Sequence, residues 1–582
     1  MAKTKNRKPL SEPSRNFKKR LLIAGVILSL YGIAILGKLF YLQILQHDEL
    51  WSQSEKQYIR KVKTSRERGK ILDRNLVDLA ANVEVDSVYV NPRAIVDKHR
   101  TAKMLSEVLD LSYRRTLKRI SSKKKFVWVK RKCTLRESQR LKSLSLPGVG
   151  FKTEIQRFYP KKKLAAGTIG FVGMDNQGLS GVEHFHDTLL KGLVSLKSEG
   201  KDARGRYIRG SKPTKLQQDR SPDLVLTLDE VVQYHVETQL AKAVRKYKAK
   251  GGVAIVMVPN TGEVLAIAGL PTYNPNNYSA YDPSSWKNIA ISSSFEPGSI
   301  FKPIVAAAAI ETEAASPEKI FFCENGSYRI GRTEIGEAAD HKFGLLSLTK
   351  IIQKSSNIGV IKISDELGAS RYYDFIRKFG FGKKSGIDLP GEAAGQLRTL
   401  DQWSKLSAAS ISFGQEIGTT PIQLVSAISA IANGGNLMKP YIAKAVMQDG
   451  KIIEESKPQI IRRVISKKTS RQMVEILKTV VRNGTGKKAG LSGYETAGKT
   501  GTAQKIDPKT QSYSKTAYVS SFVGFAPADA PSIAILVMID EPQNTFWGGE
   551  IAAPAFREIA RQTLQYLNIP SKEERVVYIE HA

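Results

Sequence analysis

The chain has 582 residues, too many for one ordinary hydrophobic core, so two to four domains are expected. Lys+Arg number 90 against 55 Asp+Glu, and the formal net charge of +35 favours anionic phospholipid, cell-wall polymer or nucleic acid without choosing among them; no helix-turn-helix or zinc-finger signature supports nucleic acid. A hydrophobic share of 41% excludes a wholly disordered chain, and only two cysteines, Cys133 and Cys323, exclude a disulfide framework and are expected as free thiols.

Residues 1–20 carry eight Lys/Arg and one acid and form a basic tail. Residues 21–37, LLIAGVILSLYGIAILG, are uncharged and mostly apolar, and LFYLQIL extends that surface beyond Lys38, which can snorkel. The stretch 21–45 is long enough to cross a bilayer. The positive flank predicts a cytoplasmic N-terminus with the body outside. No small-x-small cleavage site follows directly, so an uncleaved signal anchor is expected, with no second comparable span.

Residues 46–220 are basic, segmented and punctuated by Gly and Pro, the texture of an α+β pedestal. RTAKMLSEVLDL has helical spacing, KKKFVWVKRK reads as a short strand, and Lys161 to Lys163 read as a solvated face. From 221 the texture changes: LVLTLDEVVQYHVETQLAKAVRKY predicts a strand and then an amphipathic helix capped by Thr227 or Asp229. GGVAIVMVPNTGEVLAIAG reads as a β-hairpin, ADAPSIAILVMIDEP as a strand and AAPAFREIARQTLQYL as a terminal helix. Thr420 and Pro421 open another helix. Strands at both ends of 221–570 around a mainly helical middle predict one α/β domain, followed by a polar tail, 571–582.

Chemistry concentrates in three places. In SFEPGSIFKP, Pro297 and Gly298 bend the chain into a helix near Ser299, which puts Ser299 and Lys302 on one face, where an amine can take the serine proton. Such a lysine must be held neutral by burial or by neighbouring cations. Ser-x-x-Lys alone is a weak signal in a lysine-rich chain. Ser355-Ser356-Asn357 follows 56 residues on, and Lys499-Thr500-Gly501-Thr502 another 144 residues later; the ordered set is strong. Ser355 can relay a proton, Asn357 can hold a substrate amide, and Lys499 supplies positive potential for an anionic terminus. Thr500 and Thr502 can donate hydroxyls to a carboxylate, and Gly501 lets substrate approach the backbone. The backbone N–H groups of Ser299 and Thr502 are the expected oxyanion hole.

With these motifs the sequence resembles the class B penicillin-binding proteins over nearly its whole length. Arg68-Gly69-Lys70-Ile71-Leu72-Asp73-Arg74-Asn75 resembles the first pedestal motif of that family, and Arg157-Phe158-Tyr159-Pro160 and Gly181-Val182-Glu183 the later ones. Asn75-Leu76 departs from the family at a turn that often holds glycine. Arg68, Gly69, Asp73, Arg74 and Glu183 are read as scaffold residues. The closing Gly548, Gly549, Ala552, Ala553, Pro554 and Phe556 also fit the family pattern.

The resemblance implies a serine penicillin-recognising transpeptidase domain, with a central antiparallel sheet, helices on both faces and a helical subdomain, behind a pedestal and one transmembrane helix in the cytoplasmic (inner) membrane. It implies attack of Ser299 on the penultimate D-Ala carbonyl of a peptidoglycan stem peptide, release of terminal D-Ala, and transfer of the acyl group to an amine of a neighbouring stem. β-Lactam inhibitors would acylate the same serine. FEPGSIFKP and AYVSSFVGFAPADAPSIAILVMIDEP are closer to the division-specific, septal branch than to the elongation branch. The septal branch implies as partners a membrane glycosyltransferase of the shape, elongation, division and sporulation family and small single-pass division proteins. No cofactor or metal is expected; His184 and His186 with Glu183 and Asp187 read as polar pedestal residues. A catalytically silent scaffold or β-lactam sensor is the contrasting reading.

Overall fold

The computed structural model describes residues 15–64, 67–191, 195–200, 220–507 and 509–572. The expected basic tail up to residue 14, the stretch 201–219 of the expected pedestal and the tail from 573 lie outside the described residues. The chain divides into two compact units, Met1–Arg66 with Leu193–Asp219, and Glu67–Gly192 with Arg220–Ala582.

In the first unit, helix α1 (Arg15–Phe40) runs into one π-helical turn, Tyr41–Leu45. Arg15–Leu45 is the one helix among the described residues long and apolar enough to cross a membrane, consistent with a single anchor. Its Leu, Ile and Val side chains are exposed on all sides rather than along one stripe, as a lipid-facing helix requires. A helix, His47–Tyr58, and a strand, Ile59–Thr64, follow, and the strand pairs antiparallel with Ser195–Gly200.

The second unit opens with β1 (Ile71–Leu72), β2 (Asp78–Val90), α2 (Lys98–Leu109), β3 (Val127–Lys130), β4 (Val149–Phe158) and β5 (Asp223–Leu226). Asp97 caps α2 by accepting from Arg100 N at 2.9 Å, and the helix buries Ala102, Leu105 and Leu109 against Val88, Val90 and Val129. Cys133 lies in the same cluster as a free thiol, its pKa pushed up by burial to about 11. Cys323 is likewise buried and free. Beneath β4, Glu183 is fully buried between two arginines, accepting from Arg68 Nε at 2.7 Å and Arg157 Nε at 2.6 Å.

Further along come α3 (Glu230–Lys246), β6 (Gly251–Met257), β7 (Val264–Leu270), α4 (Lys302–Glu311), α5 (Asn357–Leu367), α6 (Pro421–Ala432), β8 (Ala443–Gln448), β9 (Lys451–Glu455), β10 (Ala497–Ile506), β11 (Tyr513–Ala526), β12 (Ile533–Asp540) and α7 (Gly548–Tyr566). Of the two residues expected to cap α3, Asp229 does so, accepting from Val231 N at 3.0 Å; Thr227 instead donates its hydroxyl to Val264 O at 2.7 Å. Thr420 and Gln423 form a reciprocal capping box at α6.

Two sheets organise this unit. One has the order β9-β8-β5-β1-β2-β3, with β4 added on β2, and β1 and β5 are parallel. The expected boundary at 220/221 therefore falls within a sheet: β5 and β8, from beyond it, complete the sheet begun by β1 to β4. Scaffold residues tie the same seam. Asp73 Oδ2 accepts from Glu230 N at 3.1 Å, Arg74 N donates to Leu228 O at 2.9 Å, and a Cβ on Gly69 would stand 1.8 Å from Pro222 O.

The second sheet is antiparallel throughout, in the order β10-β11-β12-β6-β7. Alternation decides its packing. Val253, Ile255, Leu536 and Val523 face α4 and α6, while Ala254, Val256, Ile535, Val537 and Phe522 face α3 and α7. Burying each such Val, Ile or Leu contributes about 1.5–3 kcal/mol, so both faces are held firmly. This leaves β10 as a rigid edge strand, and the candidate motifs gather along that edge.

Candidate active site

Ser299 sits in a single 3-10 turn, Gly298–Phe301, that leads into α4. The turn depends on two glycines. Gly298 has φ +58° and donates its N–H to Gly414 O at 3.0 Å, and a Cβ on Gly414 would stand 2.1 Å from Gly298 O. Lys302 follows as the first residue of α4, with Pro303 at the second position, where no intrahelical donor is lost. Four alanines, Ala306 to Ala309, let α4 pack closely enough to bury the lysine completely.

Ser355 ends the helix Leu348–Lys354 in the left-handed region at φ +63°, and Ser356 caps α5, which begins at Asn357. This tight link turns the Ser355 and Asn357 side chains toward Lys302. Lys302 Nζ donates to Ser355 O at 2.6 Å, Asn357 Oδ1 at 2.8 Å and Ser355 Oγ at 3.3 Å. From β10, Lys499 Nζ donates to Ser355 Oγ at 2.9 Å and Thr500 O at 3.1 Å. Two fully buried amines thus converge on one hydroxyl.

Burial drives the Lys302 pKa down to about 7, against the opposing pull of the Glu337 carboxylate. Burial, and then the charge of Lys302, hold Lys499 well below the ordinary lysine value. A lysine with a pKa near neutrality can alternate between ammonium and free amine, as a proton acceptor must.

Ser299, Ser355, Asn357, Thr500, Gly501 and Thr502 line one cleft of about 1120 Å³. No Ser299–Lys302 hydrogen bond is formed among the described residues; the lysine is occupied by Ser355 and Asn357. The Thr500 hydroxyl shares a hydrogen bond of 2.6 Å with Thr485, and Thr502 Oγ1 accepts from Gly548 N at 3.2 Å, at the start of α7. The Thr502 hydroxyl therefore keeps its own proton available to an anion, and the positive end of α7 adds to the potential there. Tyr518 and Phe546 stack with centroids 4.3 Å apart and line the cleft with Trp547.

Several residues of the site carry no motif signal. Glu337 is buried, accepts from Asn357 N at 2.6 Å and Ile358 N at 3.3 Å, and binds the Ser356 hydroxyl. It lies 18 residues before Ser355, in a stretch whose polarity reads as loop. Thr485 is equally silent, whereas Gly414 opens GQEIGTTPIQ, a segment whose glycine-rich entrance the family resemblance assigns to shaping the active-site side. The pedestal residues Arg68, Gly69, Asp73, Arg74 and Glu183 do not line the cleft. His184 Nδ1 lies 3.1 Å from Gly178 O, and His186 Nε2 lies 3.8 Å from Asp388 Oδ2.

Residues 252–561 match the family model for the penicillin-binding protein transpeptidase domain, and residues 63–222 that for the penicillin-binding protein dimerisation domain. Among known proteins, the chain is 35% identical to the stage V sporulation protein D of Bacillus subtilis, over 96% of this chain and 87% of that protein. It is 32% identical to the peptidoglycan D,D-transpeptidase FtsI of Escherichia coli K12, over 98% of this chain and 95% of that one. The apo crystal structure of penicillin-binding protein 3 from Mycobacterium tuberculosis superposes with a TM-score of 0.68 at 31% identity, covering 88% of this chain and 98% of that one. These relatives carry sporulation as well as transpeptidase names, so they do not single out one branch. The ordered motifs, the buried lysine pair on a sheet edge and these matches together place the chain in the penicillin-binding protein family, as a class B serine-type D,D-transpeptidase that cross-links peptidoglycan.

Proposed function

We propose that Ser299 is the acylated nucleophile of this transpeptidase and that its cross-links are made at the division septum. The observation that carries the first part is the convergence of Lys302 and Lys499 on Ser355 Oγ within the cleft that Ser299 lines. In this reading Lys302, as free amine, takes the Ser299 proton while Oγ bonds to the penultimate D-Ala carbonyl carbon. The resulting oxyanion is held by the N–H groups of Ser299 and Thr502. Collapse breaks the C–N bond, and Ser355 passes a proton to the departing D-Ala amine. Asn357 holds the donor amide, and Lys499, Thr500, Gly501 and Thr502 hold the terminal carboxylate. Lys302 replaces the Ser355 proton with the one it took from Ser299. An acceptor amine then attacks the ester carbonyl carbon, the Ser299 Oγ–C bond breaks as the new amide forms, and the proton shed by the acceptor nitrogen passes to Ser299 Oγ.

Residues 46–220 serve as a pedestal for a transpeptidase domain at 221–570. The eight basic residues before the apolar span support a cytoplasmic N-terminus. The septal role rests on the local sequence around FEPGSIFKP and on the FtsI similarity. It carries with it a membrane glycosyltransferase partner and small single-pass division proteins.

The test is intact mass after penicillin exposure, with Ser299→Ala and peptide mapping. One adduct, on Ser299 and absent from the variant, is expected; a folded protein without an adduct would instead favour a silent scaffold. An adduct without cross-linking of stem peptides would favour a sensor. Depletion in the native cell separates the branches: filaments are expected, whereas rounded cells would assign an elongation role.

A further inference from the structure

A second cavity, of about 1240 Å³, adjoins the catalytic cleft and shares Glu416, Ala503, Gln504 and Tyr513 with it. Glu296, three residues before Ser299, lines this cavity. Its Oε1 accepts from Glu416 N at 2.8 Å and Tyr513 OH at 3.2 Å, and no Lys or Arg pairs with it among the described residues. The nearby cations are engaged elsewhere: Arg398 is bonded to Glu416, and Lys505 Nζ lies 2.8 Å from Asp540 Oδ1 and 2.6 Å from Glu541 Oε1. Burial raises the pKa of Glu296, so a cation entering the cavity would relieve an unfavourable charge.

The direction of a donor peptide along β10 says which part of it reaches this place. The carboxylate end lies at Lys499 and Thr500 and the scissile carbonyl at Thr502, so residues upstream of D-Ala-D-Ala run along the open edge past Ala503 and Gln504. Gln504 is two residues, about 6.6 Å, beyond Thr502, which brings the residue before D-Ala-D-Ala to the mouth of the cavity. The incoming amine must take the position vacated by the leaving amine, on the opposite, Thr500 side, so this cavity is not where the acceptor enters. Donor and acceptor are strands of one polymer. The donor stem therefore also carries the amine-bearing residue that cross-linking consumes.

We propose that this cavity receives the amine-bearing side chain of the donor stem, upstream of D-Ala-D-Ala, and that Glu296 binds its free ammonium. The assignment rests on the Ser299 reading above and adds a determinant of donor choice to it.

The test uses the full-length protein in detergent, a fluorescent penicillin as the acylating probe, and two competing peptides. Both end in D-Ala-D-Ala and differ only in whether the upstream side-chain amine is free or acetylated. A charge-assisted contact of this kind predicts that the free-amine peptide protects Ser299 at roughly tenfold lower concentration than the acetylated one. In Glu296→Gln the ratio between the two peptides falls to about one, and because it is a ratio within one variant, a general loss of acylation cancels. Equal protection by the two peptides in the wild-type chain, or protection by neither, overturns the proposal whether or not the variant folds. A penicillin adduct that maps away from Ser299 would overturn the nucleophile assignment instead, so the two failures are distinguishable.

Discussion

Glu337 Oε2 accepts the backbone N–H of Asn357 at 2.6 Å, so the Ser-x-Asn segment is held by a carboxylate that belongs to none of the three motifs. The same group binds the Ser356 hydroxyl and stands close enough to Lys302 to oppose the drop in its pKa. Glu337→Ala removes these partners at once and releases Asn357 and Ser355 from Lys302. Acylation by penicillin is expected to fall about 100-fold, the usual result of a displacement near 1 Å. In Glu337→Gln, loss of the negative charge lets the Lys302 pKa fall further, so the acid limb of the acylation profile should move to lower pH. Stopped-flow acylation from pH 5 to 9 checks both; a slower variant with an unmoved limb would assign Glu337 a purely structural role.

The pH dependence of the wild-type chain follows from Lys302. Its pKa is lowered from 10.5 to about 7, and in the proposed mechanism the free amine takes the Ser299 proton, so acylation should rise about tenfold per unit below that value and level off above it. Stability is linked in the same direction. Between about pH 7 and the ordinary lysine value of 10.5 the unfolded chain holds a proton that the folded chain has released, so this group makes folding more favourable as pH rises through that window. Below it both states are protonated and the cost of the buried charge is fully present. Denaturant titrations at pH 6 and pH 9, compared with Lys302→Arg, which stays charged, measure the linkage; an identical pH slope in both proteins would contradict it.

Gly414→Ala tests how the turn that carries Ser299 is held. Gly414 has φ +86°, and its missing Cβ would lie 2.1 Å from Gly298 O, so alanine strains its own backbone and pushes on the turn that carries Ser299. The expected outcome is a loss of more than about 1 kcal/mol in stability and a fall in acylation of roughly 100-fold. Thermal melting and penicillin labelling read the two effects separately, and full labelling rates in a destabilised protein would show that the turn adapts.

What the sequence makes legible depends on range. Helix α6, with Thr420, Pro421 and Gln423 at its start, and the hairpin of β6 and β7 declare themselves within twenty residues, through capping chemistry and runs of apolar residues. The three motifs could be read because their order along the chain is itself a signal. That a sheet runs across 220/221 could not be read from the sequence, because LVLTL is equally good for any buried strand, and its parallel pairing with two residues, Ile71 and Leu72, leaves no local trace. Strands β8 and β9 join that sheet from more than 200 residues away. Glu337 was missed for a related reason: a single acid in a polar loop has no period or spacing, and only the fold shows that three donors point at it.

The buried cluster under β4 supports a last prediction. Glu183 is 0% exposed, and Arg68 and Arg157 are 4% and 3% exposed, so one carboxylate screens two buried guanidinium groups. Arg68 has a second partner in Asp187 at 2.7 Å, whereas the other contacts made by Arg157 are neutral, including Asn82 Oδ1 at 3.1 Å. Glu183→Gln keeps the shape but removes the charge, leaving the buried Arg157 without an ion-pair partner and with only the more distant charge of Asp223 to offset it, at an expected cost of about 3 kcal/mol. Replacing Arg68, Glu183 and Arg157 together by methionine removes the charges along with their desolvation cost and should recover most of that loss. Thermal melting of the two variants, with penicillin labelling to show that the cleft is intact before heating, decides the matter. If the single variant melts with the wild type, or the triple variant melts well below the single, the cluster does not contribute to stability through charge, and the apolar packing around it carries this part of the fold instead.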